Sequence, residues 1–263
     1  MIKEKSTKKT QEIVSEFVHR DEKGGLTMEL DEQSLMNNLH NVQNTIVKAC
    51  EKAGRDPAKV KLLPVSKLKP IEDIKVLMSA GQHAFGENYV QEIKSKHEEL
   101  GDQVEWHMIG HLQRNKVKYI IDKVAMIHSV DSLRLAKQIE KEAEKNDLVM
   151  DILLEVNIAK EESKWGFKED EVLDAVKEIS QLPHVRIRGL MTSAPYTTEP
   201  ETNRPYFKGM RLLLEKVNDA HIGNVVMDTL SMGMTADYAV AVEEGATIVR
   251  VGTAIFGERD YNK

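Results

Sequence analysis

Residues 61–100 read KLLPVSKLKPIEDIKVLMSAGQHAFGENYVQEIKSKHEEL and set the pattern for most of the chain. Here the short apolar runs 61–66 and 83–85 alternate with the segments 71–80 and 89–100, whose apolar residues recur every three or four positions. Short apolar runs of this kind are typical of buried parallel strands, and the longer periodic segments are typical of the helices that cover them. The stretch therefore predicts two consecutive β/α units.

The same alternation continues to the end of the chain. It predicts about eight strands, at 61–66, 83–85, 105–109, 124–128, 150–157, 185–191, 225–231 and 247–251. After a first helix that begins at Asp31 and ends near Gly54, helices are predicted at 71–80, 89–100, 112–121, 132–145, 168–181, 205–220 and 236–244. A (β/α)8 barrel requires eight such units. We therefore predict an α/β fold: a single (β/α)8 TIM-type barrel with an extra N-terminal helix.

A doubly wound open sheet is the competing α/β architecture. A nucleotide-binding sheet of that type usually carries G-x-G-x-x-G, and in this chain no two glycines are two residues apart. The G-x-x-x-x-G spacings at Gly81/Gly86 and Gly252/Gly257 are each followed by Glu, not by the Lys of a P-loop. The barrel is therefore favoured.

Residues 1–25 do not share the β/α pattern. They contain the charged run KEKSTKK (3–9), two consecutive glycines at 24 and 25, and one short amphipathic patch formed by Ile13, Val14, Phe17 and Val18. We predict an N-terminal appendage over residues 1–25, helical or partly disordered, and a cofactor-binding barrel over 26–263. The alternative is that the patch docks on the barrel or on a second subunit.

Composition limits the class of protein. The 263 residues are 41% hydrophobic, which is enough for a substantial core. The net charge of -6 argues against nucleic-acid binding by bulk charge, and the single cysteine, Cys50, excludes an internal disulfide framework and a multi-cysteine zinc site. No apolar run approaches the roughly 20 residues that span a bilayer, and the first residues lack the apolar stretch of a signal peptide. We expect a cytoplasmic protein with no nucleic-acid and no membrane partner.

Lys67 follows the first apolar run directly. Active sites of parallel barrels lie at the carboxyl ends of the strands, so this lysine is predicted to stand at the barrel mouth. Partial desolvation there would lower the pKa of its amine and make the neutral, nucleophilic form more available. The position suits Schiff-base formation with an aldehyde. The alternative is a strand-end lysine that extends along the surface into water.

The last two predicted strands end in glycine and hydroxyl residues. Ser231 ends the seventh strand and Gly233 follows it, while Gly252 and Thr253 follow the eighth. Loops at these places in barrels often bind phosphate through backbone N–H groups and hydroxyls. With Lys67 at the same rim, they predict a ligand that is an aldehyde with a phosphate. The alternative is that the glycines are turn residues and Ser231 caps a helix.

Other polar residues give weaker indications. His107 and His111 are four residues apart, but His107 lies in a predicted strand, where this spacing separates them by about 13 Å. We therefore predict no metal site. For His128 we expect a buried structural role. Asn88, after the second predicted strand, either contacts a ligand at the rim or caps the next helix.

Eight longer motifs occur in order between about Asp31 and Arg259. They are LLPVSKLKP (62–70), FGENYVQE (85–92), WHMIGHLQRNK (106–116), HSVDS (128–132), EVNIAKEESKWGF (155–167), RGLMTSAP (188–195), LSMGMTADYAVAVEEG (230–245) and VRVGTAIFG (249–257). This set resembles the pyridoxal phosphate homeostasis protein family, also called the YggS/PROSC family. Two departures are Pro64, where Ala is usual, and Leu68, where a smaller polar residue is expected.

The resemblance implies a barrel similar to the N-terminal domain of alanine racemase, with pyridoxal 5'-phosphate (PLP) held as a Schiff base on Lys67. It implies that Arg250 faces the pyridine nitrogen and that Asn88 lies near the ring. The residues implied for the phosphate are Ser231, Gly233, Gly252 and Thr253. Because arginine stays protonated, it would donate to the pyridine nitrogen and leave it unprotonated, which makes the cofactor a weaker electron sink.

The resemblance further implies a non-catalytic protein that stores, delivers or buffers PLP, with apo PLP-dependent enzymes as recipients. A racemase needs a second acid/base group opposite the lysine. In the racemases that this barrel resembles, a tyrosine from an additional C-terminal domain supplies it, and we expect no room for that domain after the last motif. We therefore expect a monomer that is not an enzyme. The alternatives are a PLP-dependent amino-acid racemase and a cofactor-free aldolase.

Overall fold

The computed structural model describes residues 18–20, 26–28, 30–223 and 225–258. Eight parallel strands form its centre: β1 (Lys61–Pro64), β2 (Ala84–Glu87), β3 (Glu105–Met108), β4 (Val124–Val130), β5 (Met150–Glu155), β6 (Val185–Met191), β7 (Thr229–Ser231) and β8 (Ile248–Val251). From β2 to β8 each strand pairs with the next along the chain, and β8 pairs with β1. A parallel bridge between Val65 and Gly86 joins β1 to β2, so that the sheet curls into a (β/α)8-type barrel. The predicted fold class is confirmed.

Helices surround the barrel. They are α1 (Glu32–Lys52), α2 (Ile71–Ser79), α3 (Val90–Leu100), α4 (Leu133–Lys145), α5 (Val172–Ile179), α6 (Arg204–Asp219), α7 (Tyr238–Glu243) and α8 (Thr253–Phe256). Their apolar faces pack on the outward side chains of the strands, such as Phe85, Trp106 and Ile127, to form the main core. None of the helices within the described ranges is both long and apolar enough to cross a bilayer.

A second, smaller cluster fills the barrel itself. Leu63, Ala84 and Ile248 are buried together, with Ile109 and Met126 packed against them. Because successive strand residues point to opposite faces, the neighbours of these residues face the helices while these face inward. Several inward positions nearer the carboxyl ends are polar, among them His128, Ser231 and Arg250, and they build the site described below.

Helix α1 fastens the first strand region to the last. It begins at the N-cap Asp31, whose carboxylate accepts the Ser34 N–H at 2.6 Å. Asn38 donates to the carbonyl of Ile255 at 3.0 Å, and Lys52 forms an ion pair of 2.8 Å with Glu243. The helix therefore covers the seam at which β8 meets β1.

One predicted helix is wrong in type. The segment 112–121 was expected to form an α-helix, but it contains a 3₁₀ helix at Arg114–Tyr119. Its hydrogen bonds span three residues, as from Lys116 N–H to Gln113 O at 2.9 Å. This turn buries Val117, Ile120 and Ile121.

The seventh strand begins later than predicted. We expected strand structure from residue 225, but β7 spans only Thr229–Ser231. The side chain of Asn218 forms hydrogen bonds of 2.9 Å with both the N–H and the C=O of Met227, so these groups do not join the strand pairing. The apolar residues there are consistent with a strand, but Met227 bonds to a side chain and Val225 N–H donates to Ile222 O.

The N-terminal region differs where it is described. Val18–Arg20 and Leu26–Met28 form a two-stranded antiparallel pair, with His19 opposite Thr27. The predicted helical patch lies mostly outside the described residues, and its last member, Val18, is in a strand. The boundary between appendage and barrel stays a prediction.

Candidate functional site

The predicted site residues lie on four adjacent strand ends. In the ring, β7, β8, β1 and β2 are consecutive neighbours. Arg250 lies in β8. The other predicted residues stand at or just after the carboxyl ends of these strands: Lys67 after β1, Asn88 after β2, Ser231 and Gly233 at β7, and Gly252 and Thr253 after β8. With neighbouring strands about 4.8 Å apart, these residues form one side of the barrel mouth.

The backbone that leads to Lys67 is held on both sides. The N–H of Val65 donates to Val251 O at 2.9 Å, and the N–H of Ser66 donates to Gly86 O at 3.1 Å. Beyond Lys67, the N–H of Leu68 donates to the Glu92 carboxylate at 2.8 Å. The half-buried Lys67 therefore stands on a fixed loop between β8 and β2.

A buried polar cluster supports this loop from the side of α3. Lys96 Nζ donates to Ser66 O at 2.8 Å and to the carboxylates of Glu87 and Glu92 at 2.7 Å. The Ser66 hydroxyl donates to Glu87 at 2.6 Å. Burial raises the pKa of Glu87, while the Lys96 ammonium opposes the shift. The cluster thus ties both ends of the Lys67 loop to one ammonium group.

The two glycine loops are fastened to each other. Gly233 has φ +90°, and a Cβ on it would lie 2.5 Å from the Ala241 Cβ. Only glycine fits this turn. Its carbonyl accepts the Arg250 N–H at 3.0 Å, and Thr235 Oγ1 accepts the N–H of Ala254 at 3.4 Å. In the second loop, Gly252 is buried and Thr253 is exposed at the rim.

Asn88 is held by an equally close contact. A Cβ on Gly110, which follows β3, would lie 2.6 Å from the Asn88 carbonyl oxygen and 2.7 Å from its Cα. The two backbones can approach this closely only because residue 110 has no side chain. Asn88 is half-buried at the rim, next to the Lys67 loop.

Arg250 is buried inside the mouth. Its Nη1 donates to Ser231 Oγ at 2.7 Å and its Nη2 to Thr192 O at 2.8 Å. Burial lowers its pKa to about 10, opposed by the carboxylates of Glu155 and Asp237. The guanidinium therefore stays charged near neutral pH.

Two histidines continue the hydrogen-bond chain from Ser231 through the barrel. His128 Nδ1 lies 2.9 Å from Ser231 Oγ, His128 Nε2 lies 2.8 Å from His107 Nδ1, and His107 Nε2 lies 2.8 Å from the Glu105 carboxylate. Lys61 pairs with the same carboxylate at 2.7 Å. The chain therefore connects the mouth to the opposite, N-terminal end of the barrel.

The direction of these hydrogen bonds follows from the charges. The His107 hydrogen bond and the Lys61 ammonium lower the pKa of Glu105 to about 2, so Glu105 can only accept. Burial lowers the pKa of His107 and that of His128, so both rings are neutral. Each ring then donates from Nε2 and accepts at Nδ1, which leaves the Ser231 hydroxyl to donate to His128.

Glu155 faces the mouth from the far side. It ends β5, which is four strands from β1 in either direction around the ring and therefore directly across from it. Burial, and then the Asp131 carboxylate, raise its pKa to about 7, while the Arg250 guanidinium and Lys164 oppose the shift. Its carboxylate forms no hydrogen bond or ion pair with the side chains and backbone that the structure describes.

The loops after β3, β4 and β5 enclose a cleft of about 860 Å³ beside the mouth. Trp165, which is 59% exposed, stacks on His111 there with ring centroids 4.2 Å apart. His111 also pairs with Asp131 at 3.1 Å. Across the described residues, no group of three or more His, Cys, Asp and Glu side chains is placed to hold a metal ion.

Comparison with known proteins assigns the family. The profile of the family described as "Alanine racemase, N-terminal domain" matches residues 32–260. The pyridoxal phosphate homeostasis protein of Aquifex aeolicus is 47% identical over 224 residues, which cover 85% of this chain and 97% of that protein. The chain belongs to the pyridoxal phosphate homeostasis protein family. The assignment predicted from the motifs is confirmed.

Solved structures agree with this family assignment. PipY of Synechococcus elongatus, in a structure described as having PLP bound, is 33% identical with a TM-score of 0.71 and covers 81% of this chain and 100% of PipY. Alanine racemase of Clostridium difficile is 15% identical with a TM-score of 0.69, over 88% of this chain and 58% of the racemase. The likeness to the racemase concerns the fold alone.

In this member of the pyridoxal phosphate homeostasis family, sequence reasoning missed three features of the mouth. It considered His107 and His128 separately, although both take inward positions on neighbouring strands. It did not single out Glu155, whose significance depends on which strand lies opposite β1. It also missed Lys96, because a lysine on a helix is usually exposed. Marking the inward-facing positions of each predicted strand would have indicated the two histidines and Glu155.

Proposed function

We propose that this protein binds PLP as a Schiff base on Lys67 and stores, delivers or buffers the cofactor without turning over a substrate. One observation carries the proposal: an amine, two glycine loops and a buried guanidinium meet at four adjacent strand ends. This is the donor set that an aldehyde with a phosphate and a pyridine nitrogen needs.

Lys67 would supply the amine. Its backbone is fixed by hydrogen bonds from Val65 and Ser66 to the neighbouring strands, so the side chain starts from a defined point at the mouth. The neutral amine is the form that adds to an aldehyde. PLP, when bound, supplies an aldehyde that condenses reversibly with amines and a ring that can accept electrons.

The loops after β7 and β8 would hold the phosphate. Gly233 and Gly252 present backbone without side chains, and Thr253 presents an exposed hydroxyl. The Ser231 hydroxyl would join them only by turning from His128 to the ligand, because its proton is engaged there. Phosphate binding at Ser231 is thus in competition with the histidine chain.

Arg250 would face the pyridine nitrogen. A guanidinium can donate a hydrogen bond but cannot accept one, so it favours the unprotonated pyridine. An unprotonated ring stabilises a carbanion less, which suits a protein that holds the cofactor without using it. Asn88, fixed against Gly110, would lie near the ring substituents.

The relatives support this function by their names. Proteins named pyridoxal phosphate homeostasis protein match this chain at 47% identity in Aquifex aeolicus and 42% in Pasteurella multocida. PipY, solved with PLP bound, shares the fold over its whole length. On those grounds, together with the donor set at the barrel mouth, we propose PLP as the ligand of this chain.

Visible absorbance tests the proposal. Purified protein incubated with PLP should show the absorbance of a protonated imine, and borohydride reduction followed by peptide mapping should place the label on Lys67. Lys67→Ala should lose both signals. Lys94→Ala is the matched control. It removes an amine on α3 that packs over the Tyr119 ring, and it should keep both signals. Label on another lysine in the wild type would contradict the proposal.

We propose apo PLP-dependent enzymes as recipients and a monomer as the working form. Loaded protein mixed with an apo-enzyme should restore that enzyme's activity, and Lys67→Ala protein carried through the same loading and desalting should not. Light scattering at several protein concentrations checks the mass. Equal restoration by both proteins would show that free PLP is the donor.

An amino-acid racemase is the second candidate, favoured by the position of Glu155 across the mouth from β1. A lysine and a carboxylic acid on opposite sides are the two groups that such a reaction needs. Loaded protein incubated with L-alanine in deuterated water separates the candidates. The carrier should incorporate no deuterium at the α carbon at turnover rates, whereas a racemase should incorporate it and form D-alanine.

A further inference from the structure

Glu155 is a half-buried residue for whose carboxylate the described residues offer no hydrogen-bond partner. It ends β5, and the alternate residue Leu154 packs in the outer core, so the Glu155 side chain faces inward. An unpaired carboxylate at such a place opposes folding. Its contacts with the described residues are electrostatic only, so its position and its chemistry are the more informative properties.

The charged groups around Glu155 come from several elements. Asp131 follows β4, Arg250 lies in β8, and Lys164 lies in the loop after β5. On the other neighbouring strand, β6, the residues beside Glu155 are Met191 and Thr192, which carry no charge. One acidic and two basic neighbours leave Glu155 able both to accept and to release a proton near neutral pH.

We propose that Glu155 accepts the proton of the primary amine that takes PLP from Lys67. This inference rests on the proposed function and names its acceptors by class: alkyl ammonium groups, such as those of amino acids or of a lysine side chain. Glu155 lies across the mouth from the loop that carries Lys67, so the two residues stand on opposite sides of the opening through which an acceptor would enter.

The step balances in protons and electrons. The Glu155 carboxylate takes one proton from the entering ammonium group and becomes a carboxylic acid. The freed amine nitrogen uses its electron pair to form a bond to the imine carbon, and the bond from that carbon to the Lys67 nitrogen breaks. The Lys67 nitrogen, which carries the imine proton and receives a second from the entering nitrogen, leaves as a neutral amine. The entering nitrogen keeps its last proton in the new imine.

The test compares two acceptors that differ in their protonation. Nα-acetyl-L-lysine is an alkyl ammonium ion near neutral pH and must lose a proton before it attacks. Methoxyamine is already neutral and needs no base. Loss of the Lys67 imine absorbance is followed with each acceptor between pH 5 and 9, in the wild type and in Glu155→Gln. Glu162→Gln, an exposed acid in the loop after β5, is the matched control.

Glu155→Gln should slow transfer to Nα-acetyl-L-lysine by about 100-fold, in line with the usual contribution of a positioned base. It should leave the rate with methoxyamine within about twofold of the wild type, and Glu162→Gln should change neither. Asp131→Asn should move the midpoint of the pH dependence to lower pH, because it removes a negative neighbour. Equal slowing with both acceptors, or with neither, would overturn the inference.

An independent readout uses the unloaded protein. In a ¹³C NMR titration of protein labelled at the glutamate carboxyl carbon, one resonance should titrate near pH 7 and be absent in Glu155→Gln. If no glutamate titrates near neutrality, this inference fails and PLP binding stands. If the wild type forms no imine with PLP, the proposed function fails and the inference fails with it.

Discussion

Nη1 of Arg250 donates a hydrogen bond of 2.7 Å to Oγ of Ser231, and this bond joins the last two strands of the barrel at the level of its mouth. The same oxygen lies 2.9 Å from His128 Nδ1. Ser231 is therefore the point at which a charged guanidinium and a neutral histidine chain meet. Several properties of the protein should depend on this one hydroxyl.

Ser231→Ala should weaken PLP binding and destabilise the fold. The change leaves a buried guanidinium proton and a buried imidazole nitrogen without their partner, which costs about 1–3 kcal/mol. Denaturant unfolding of the unloaded protein measures the loss. Ser129→Ala is the control: Ser129 is fully buried and its hydroxyl has no partner among the described residues, so its removal should be near neutral. Equal losses in the two variants would contradict the role of the network.

Gly233→Ala should abolish tight PLP binding. The added Cβ would lie 2.5 Å from the Ala241 Cβ and 2.9 Å from the Tyr238 Cα, so the loop must move. Gly81→Ala separates this collision from backbone strain, because Gly81 has a similar φ of +85° with nothing within 4 Å of the new atom. The control should lose about 1 kcal/mol of stability and keep its affinity for PLP. PLP titrations of both variants decide the matter.

Lys96→Met should unfold the protein readily or leave it with a disordered Lys67 loop. It removes the ammonium group that pairs with the carboxylates of Glu87 and Glu92, and breaking a buried pair in this way costs about 3–5 kcal/mol. Lys75→Met breaks the exposed pair with Glu99 and should cost at most about 1 kcal/mol. Thermal unfolding of the two variants side by side measures the difference. Similar melting temperatures would show that the buried Lys96 cluster stabilises the fold no more than the exposed pair does.

Glu155→Gln should stabilise the unloaded protein at alkaline pH. The folded-state pKa of Glu155, about 7, lies above the ordinary value of 4.5, so the folded protein binds the proton more tightly than the unfolded chain. The contribution of Glu155 to the free energy of unfolding is fully present below pH 4.5 and is lost as the pH rises through 7. Wild type and variant should therefore match near pH 4.5 and differ on the order of 2 kcal/mol above pH 8. Parallel stability curves from pH 4.5 to 9 would contradict the assignment.

The barrel was predictable because each of its strands can be recognised from its own local sequence. Leu62 and Leu63 are both buried, one outward and one inward, so a strand covered on both faces appears as an unbroken apolar run. The segment 112–121 shows the limit of the same reasoning. Val117 and Ile121 are buried there, but apolar spacing does not distinguish an α-helix from a tighter 3₁₀ turn.

The site was predictable only as far as position along a strand determines it. Lys67 and Ser231 both stand at strand ends, and the sequence is sufficient to place them at one rim. Glu155 stands at a strand end too, yet its relation to Lys67 follows from closure of the ring, which no local pattern contains. The histidine chain depends likewise on contacts between residues 21 and 103 positions apart.

The seam beneath α1 has a consequence for synthesis. Lys67 emerges from the ribosome long before Arg250 and Gly252, which lie in or directly after the neighbouring strand β8. Long-range pairings of this kind form slowly, since the intervening chain must fold before they can close. A nascent chain that still lacks its last strand would expose a reactive amine with no pocket behind it. The proposed binding of an aldehyde at Lys67 would therefore have to wait until β7 and β8 have been synthesised.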